Sequence, residues 1–331
     1  MRLVVDCEFV DDFSVPEWTG TALRGVFGYV LRRISCGFPR RSCDGCGVRG
    51  GCLYYLTFET RPDVKADARI GRGLRDITRP FTLDPIEMLN RRRFRFALNL
   101  IGDVALRHEA IYIFTLVEMG KLGIGRDRAK NERRRFKILT VRVVNDIRGV
   151  EETICNGREY VYREKRGAVI SLDDIRGVAE RVAAAEPRFI IVNFETPTRL
   201  VHNGRAADFD FHVLIRNLAR RYSITAEYHV DEWQPLSPEK AKSIIEAASL
   251  IETSHLSLQP TFSSKFSIER LRWEHYGPFH SGTATYRIPS RFWRHEDAVE
   301  ALTLLTLGRY MHVGKLATAG YGKIDFSLKI V

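Results

Sequence analysis

The sequence lacks an apolar run long enough for a membrane-spanning helix, which excludes the ordinary membrane-protein class. Its first residues, Met1 to Asp6, reach an acidic side chain too early for a secretory signal peptide. We therefore expect a cytoplasmic protein with no membrane partner. Cysteine is also scarce, with 6 in 331 residues, and in a cytoplasmic chain disulfide bonds explain those few poorly.

Two common nucleotide-binding motifs are absent from the glycine-rich stretch near the end of the chain. Gly314-Lys315 is followed by Leu316 rather than by Ser or Thr, and no GxxxxGK run precedes it, which excludes a Walker loop. The stretch also leads from a helical pattern into a strand pattern. A dinucleotide fingerprint has the opposite order.

The composition is that of a globular protein with a basic surface. Hydrophobic residues make up 44% and charged residues 28% of the chain, and 52 Lys and Arg against 41 Asp and Glu leave a net charge of +11. Such an excess favours an anionic partner. Arginines cluster at Arg91 to Arg95, at Arg126 to Arg135, and at Arg216, Arg220 and Arg221. Clustered Arg beside Phe and Tyr favours RNA over a membrane surface, although each cluster alone could be a solvated face.

Hydrophobic periodicity predicts the same order of elements twice. In the first half the pattern predicts strands at Arg2 to Phe9, Arg79 to Leu83, Phe94 to Ile101 and Phe136 to Val144, with helices at 22–34 and 104–119. In the second half it predicts strands at 189–194, 256–273, 286–288 and 324–331, with helices at 209–222 and 298–307. Strand, helix, two strands, helix, strand is the ferredoxin-like plan.

We therefore predict an α+β protein with two tandem ferredoxin-like (RRM-like) domains. The predicted boundaries are 1–150 for the first domain, 151–188 for a connector, and 189–331 for the second domain, which ends in the glycine-rich stretch. A small cysteine-rich insertion at 36–55 interrupts the first domain.

Four of the cysteines lie close together in that insertion, at Cys36, Cys43, Cys46 and Cys52. Four thiols within such a short, glycine-rich segment can converge on one tetrahedral ion, which predicts structural zinc. An iron–sulfur cluster and free cysteines are the alternatives. Cys7 and Cys155 lie outside the cluster and are expected to be ordinary buried thiols.

The glycine-rich stretch suits close approach to a phosphodiester backbone. Gly314, Gly320 and Gly322 free the backbone for positive φ, Lys315 and Lys323 add charge, and Tyr321 adds a flat face. The alternative is a turn that lets a helix pack closely on a sheet.

Four separated motifs resemble a known family. The order Val-Gly, five residues, Gly-Tyr-Gly is similar to the C-terminal signature of the RAMP superfamily of CRISPR proteins, in particular its precursor-RNA-processing endoribonucleases. The matching segments are Met311 to Lys315 with Ala319 to Gly322, Thr21 to Gly28, Cys52-Leu53-Tyr54 and Tyr276 to Tyr286. The segment Cys52-Leu53-Tyr54 resembles the end of a cysteine-rich insertion that a subset of these enzymes carries.

The resemblance implies metal-independent cleavage of CRISPR repeat RNA. In that reaction the 2′-hydroxyl attacks the adjacent phosphate, giving a 2′,3′-cyclic phosphate and a 5′-hydroxyl. It needs a base, an acid and a cation near the phosphate. The implied partners are repeat RNA, the processed CRISPR RNA, and subunits of a CRISPR effector complex.

The catalytic residues are harder to assign, because many family members place a His in or after the first helix and this chain has no His before His108. We predict His312, Tyr29 and Lys315 as catalytic residues. The predicted RNA-binding residues are Arg24, Arg32, Arg91, Arg92, Arg93, Arg126, Gly314, Gly320, Tyr321, Gly322 and Lys323.

Two other functions compete with this prediction. The missing His supports a non-catalytic RNA-binding RAMP subunit of an effector complex, built on the same fold. A zinc-stabilised interaction protein without a nucleic-acid role would show no salt-dependent RNA affinity.

Overall fold

The chain forms two compact units. The computed structural model describes residues 1–12, 15, 18–62, 77–127, 132–157, 167–267 and 272–329. The first unit comprises Met1–Ile170 with Ile224–Gln234, and the second comprises Ser171–Ser223 with Pro235–Val331. Among the described residues, no helix combines the length and the apolar character that crossing a bilayer requires.

The first unit has a helix-covered antiparallel sheet. Its strands are β1 (Arg2–Phe9), β2 (Phe81–Leu83), β3 (Glu87–Met88), β4 (Arg93–Leu100), β5 (Ile124–Asp127), β6 (Glu132–Arg134), β7 (Phe136–Asn145) and β8 (Val150–Cys155). Its helices are α1 (Gly20–Ser35), α2 (Asp103–Arg107) and α3 (Glu109–Leu122), with a 3-10 turn at Arg49–Gly51 and a π-helical turn at Tyr55–Glu59. The main sheet has the order β2-β4-β1-β7-β8, while β3 pairs with β4 and β5 pairs with β6.

Alternation of side chains along β1 divides this sheet into a core face and an outer face. Leu3, Val5, Cys7 and Phe9 are fully buried in the same core as the apolar residues of α1 and α3. Cys155 is also buried, so both cysteines outside the cluster are buried thiols as predicted.

The outer face is held by an ionic network centred on Asp6. Arg95 Nε lies 2.7 Å from Asp6 Oδ1, while Arg142 Nη2 and Thr140 Oγ1 each lie 3.0 Å from Oδ2. Burial alone would raise the pKa of Asp6, but the hydrogen bonds from Arg95, Thr140 and Arg142 outweigh it and lower that pKa.

The second unit repeats the plan. Its strands are β9 (Phe189–Thr198), β10 (Val201–His202), β11 (Arg205–Ala206), β12 (Glu252–Ser267), β13 (Arg272–Arg287) and β14 (Ile324–Lys329). Its helices are α4 (Leu172–Ala185), α5 (Phe211–His229), α6 (Pro238–Ser249), α7 (Ser290–Trp293) and α8 (Ala298–Met311), followed by a 3-10 turn at Ala317–Ala319. The sheet has the order β12-β13-β9-β14, and the last residues of α5, from Ile224, are counted with the first unit.

The ferredoxin-like prediction is confirmed in both units. The strand that opens each repeat lies in the middle of its sheet, with β1 between β4 and β7 in the first unit and β9 between β13 and β14 in the second. Several local details differ. The helix expected at 104–119 is interrupted at His108, and the helix expected at 209–222 continues to His229. The expected connector contains β8, which pairs with β7 of the first unit. It also contains α4, which agrees with the short helix that the sequence pattern predicts at about Asp174 to Ala185 and which lies in the second unit.

Candidate nucleic-acid interface

The glycine-rich stretch begins where α8 ends at Met311. His312 adopts a φ of 55° and has no exposed surface, and its Nδ1 lies 3.2 Å from the carbonyl oxygen of Tyr321. A side chain without exposed surface cannot contact an RNA phosphate in this conformation. The position of His312 therefore does not support its predicted catalytic role and favours a positioning role for the glycine-rich stretch.

Backbone hydrogen bonds fasten this stretch to the end of β9. Within the stretch, the amide of Val313 donates to the carbonyl of Gly322 at 2.8 Å. The amide of Gly322 donates to the carbonyl of Pro197, in β9, at 3.2 Å. Lys315 is fixed in the same way, because its amide donates to the carbonyl of Arg199 at 3.2 Å. The loop is therefore rigidly placed by its own main chain.

Two of the glycines are required by close backbone packing. A Cβ on Gly314, at φ 74°, would lie 2.2 Å from the carbonyl oxygen of Arg199. A Cβ on Gly322, at φ 72°, would lie 1.8 Å from that of Val313. Gly320, at φ 83°, is buried at the end of the 3-10 turn. Gly314 thus lets the loop approach the end of β9, and Gly322 lets the two ends of the loop approach each other. Both contacts fit the close-packed turn that sequence reasoning left open as the alternative.

The loop exposes few side chains. Tyr321 is 1% exposed with its ring centroid 4.8 Å from that of Phe279, so it offers no free face for stacking. Lys323 Nζ lies 2.8 Å from Glu195 Oε2. Lys315, in contrast, is exposed, and its ammonium group forms no ion pair within the described part of the chain. Lys315 is the predicted loop residue best placed to meet a phosphate.

A second exposed feature lies on α1 in the first unit. Gly25, Tyr29 and Arg33 are exposed at four-residue intervals, so they share one side of the helix; we call them the α1 stripe. Tyr29 is 54% exposed, and the Arg33 guanidinium lies 5.7 Å from the centre of its ring. Nothing lies within 4 Å of a Cβ built on Gly25, so the helix backbone is open to a ligand there. The sequence pattern indicated Tyr29 as a catalytic candidate with Arg33 as a nearby cation, and helical spacing groups Gly25 with both.

Two predicted RNA-binding arginines of α1 are engaged in packing. The Arg24 guanidinium lies 5.3 Å from the centre of the Phe58 ring, and that of Arg32 lies 5.2 Å from the centre of the Tyr54 ring. Arg32 also donates to the carbonyl of Arg41. Both side chains are half-buried. They therefore stabilise the segment that follows α1 and are less available to contact a phosphate.

The arginine cluster at the start of β4 is exposed but faces acidic neighbours. Arg91 is 90% exposed at its side chain and lies 3.8 Å from Asp12, while Arg93 lies 3.5 Å from Glu8. Arg92 lies 3.9 Å from Asp12 and donates to the carbonyls of Phe9 and Val10. The side chain of Arg126 lies outside the described residues. Of this group, Arg91 has the most freely accessible guanidinium.

The four clustered cysteines line one small pocket, together with Arg41, Arg49 and Tyr55. All four are half-buried and form no disulfide bond. The pKa of Cys43 is raised, mainly by burial and further by the negative charge of the Glu59 carboxylate. Within the described segments, no group of three or more His, Cys, Asp or Glu side chains is arranged as a metal site. The donor set suits zinc, but its geometry here is not that of a formed tetrahedral site.

Comparison with protein families relates both units to known proteins. Residues 192–324 match the family model of the CRISPR-associated endoribonuclease Cas6, and residues 1–167 match the AF_1859 N-terminal domain family. An uncharacterized protein of Archaeoglobus fulgidus is 27% identical over 120 residues, which cover 35% of this chain and 39% of the relative. The chain thus matches well under two thirds of that relative's length.

Solved structures share the fold along the whole chain. The product complex of Cas6 (TTHB231) aligns with a TM-score of 0.57 and 16% identity over 99% of both chains. Thermus thermophilus Cas6 (TTHB231) also aligns with a TM-score of 0.53 and 15% identity, over 98% of this chain and 97% of that one. At such identities the likeness shows the tandem ferredoxin-like fold alone.

Proposed function

We propose, since the chain belongs to the Cas6-type family of CRISPR RNA-processing endoribonucleases, that it binds CRISPR repeat RNA and cuts the precursor by attack of a 2′-hydroxyl. The new bond joins the 2′-oxygen to phosphorus, and the bond to the 5′-oxygen breaks. The products are a 2′,3′-cyclic phosphate and a 5′-hydroxyl. The match of residues 192–324 to the Cas6 family is the observation that carries this proposal.

The substrate supplies its own nucleophile, so the protein has only to move protons and offset charge. No metal is needed for either task in the proposed cleavage step. Tyr29 is the exposed proton-transferring group of the α1 stripe, and Arg33 beside it supplies a cation for the crowded phosphate. Lys315 supplies a phosphate contact from the glycine-rich stretch. His312 holds that stretch through the Tyr321 carbonyl.

A non-catalytic RNA-binding subunit is the second candidate. Burial of His312 favours it, because the glycine-rich stretch then presents no accessible imidazole. Both candidates share the RNA contacts and the RNA partner, and they differ in whether the phosphodiester bond is broken.

A cleavage assay in EDTA separates the two. Purified protein is incubated with the repeat RNA of its own host and with copies that carry one 2′-deoxy nucleotide at each successive position. We expect cleavage of the all-ribose RNA and complete loss of cleavage at one deoxy position, which identifies the scissile site. Tight binding with no cleavage of any RNA would instead establish the non-catalytic subunit.

We further propose that the cysteine pocket holds one structural zinc ion through Cys36, Cys43, Cys46 and Cys52. Four thiolates would complete its coordination and leave no open position for chemistry. The pocket shared by the four thiols supports this proposal. Binding would draw the four thiols together within the segment that follows α1.

Metal analysis tests the zinc proposal. Protein purified under reducing conditions is expected to contain about one zinc ion per chain, and the double variant Cys43→Ser/Cys46→Ser is expected to contain almost none. Cys155→Ala, which removes a thiol outside the pocket, should retain the metal. Visible absorption from bound iron would point to the iron–sulfur alternative, and metal-free parent protein would refute both.

A further inference from the structure

The tip of the cysteine-rich segment carries an aromatic ring that the core does not use. Phe38 is 46% exposed, and the guanidinium of Arg41 lies 5.2 Å from the centre of its ring. Beside this pair is an open groove of about 250 Å³, near the lower limit of ordinary small-ligand sites. Its other walls are Ser42 and the chain from Asp44 to Val48, where Gly45 and Gly47 contribute no side chains.

The surroundings of this groove are basic. Arg40 and Arg41 have no acidic partner in the described segments of the chain. Asp44, which lines the groove, is bridged by Arg61 at 2.9 Å and so does not neutralise those two arginines. A ligand with a flat apolar face and a negative charge would match both features of the groove.

Contacts with the rest of the first unit stabilise the segment that lines the groove. Arg32 of α1 donates to the Arg41 carbonyl and packs over Tyr54 at 5.2 Å. Arg49 packs over Tyr55, with its guanidinium 5.7 Å from the ring centre. These contacts tie Arg41 to α1 and Arg49 to Tyr55, on either side of the groove.

We propose that Phe38 and Arg41 form a stacking site for one unpaired base of the CRISPR RNA, separate from the site of cleavage. The base would lie in the groove against the Phe38 ring, and Arg40 and Arg41 would contact the flanking phosphates. Single-stranded RNA is commonly bound in this way, with aromatic rings beneath the bases and arginines along the backbone. The inference rests on the proposed function, since it takes the same RNA as its ligand.

Photocrosslinking to the full-length protein tests the position of the base. Host precursor RNA containing one repeat with its natural flanks carries 4-thiouridine at one uridine at a time, and crosslinked protein is digested with trypsin. We expect one or more positions to crosslink to the tryptic peptide Ile34 to Arg40, which contains Phe38. Crosslinks confined to other peptides would overturn the proposal.

Binding measurements test the stacking contact. We expect Phe38→Ala and Arg41→Gln each to weaken binding of the same precursor RNA about tenfold. The loss in Phe38→Ala should vanish when the crosslinking nucleotide is abasic, since no base then remains to stack. The loss in Arg41→Gln should persist, because the flanking phosphates remain. Phe114→Ala removes a phenylalanine of similar exposure (52%) from α3 and should bind like the parent. Thermal unfolding should be unchanged in all three variants.

The outcomes also separate this inference from the proposed function. Parent protein that binds and cuts the RNA while Phe38→Ala binds with equal affinity would overturn the stacking site alone. Parent protein without RNA affinity would overturn both.

Discussion

Gly322→Ala is expected to lower the free energy of unfolding by roughly 3 kcal/mol. Two costs add at this position. The φ of 72° costs an L-residue about 1–2 kcal/mol, and the new Cβ would lie 1.8 Å from the Val313 carbonyl oxygen, which forces the backbone apart. Urea unfolding followed by circular dichroism measures the loss.

Gly204→Ala is the matched control. Gly204 lies between β10 and β11 with a φ of 77°, but nothing lies within 4 Å of a Cβ built there. This variant therefore carries the conformational cost without the clash, and should lose only about 1 kcal/mol. Equal losses in the two variants would show that the close approach of the Val313 carbonyl is not what requires Gly322.

Tyr29→Phe is expected to slow cleavage of repeat RNA about a hundredfold while leaving RNA affinity within about twofold. The variant removes only a hydroxyl group, so the ring of the α1 stripe still packs beneath the Arg33 guanidinium. General acid or base catalysis by a positioned side chain contributes on the order of 10² to 10⁴ in rate. Single-turnover cleavage with protein in excess measures the chemical step apart from product release.

Two further variants define what this result means. Tyr222→Phe removes the hydroxyl of a half-buried tyrosine on α5 and should cut at the parental rate. Lys315→Ala should weaken binding and make it less sensitive to salt, because it removes a phosphate contact. If Tyr29→Phe cuts as fast as the parent, the proton-transfer role must be assigned to another residue.

The fold could be predicted from the sequence because its strands and helices carry strong periodic patterns. Alternation in Arg2–Phe9 and helical spacing in Gly20–Ser35 are both reproduced by burial. The pattern failed where its signal was weak. β8 pairs with β7 through a register irregularity and has mixed burial, so nothing in its sequence distinguished it from a connector.

The candidate site was less predictable, because exposure is decided by tertiary contacts. His312 and Tyr321 follow a helix and lie among glycines, a context that suggests an accessible loop. In the folded chain the loop closes onto β9, and both side chains turn inward. Sequence patterns could not tell which side chains of this segment would remain outside.

Under the proposed function, Gly25 sets a limit on how far this protein can be stabilised without loss of RNA binding. An alanine at an exposed position in the middle of a helix is a routine choice in thermostability engineering, and here it would meet no steric obstacle. Such a substitution typically strengthens a helix by up to about 1 kcal/mol. The same methyl group would occupy the opening through which the backbone of α1 is accessible. A stability-guided redesign that treats Gly25 as a defect would therefore select against RNA binding by the α1 stripe, if that stripe binds RNA as proposed.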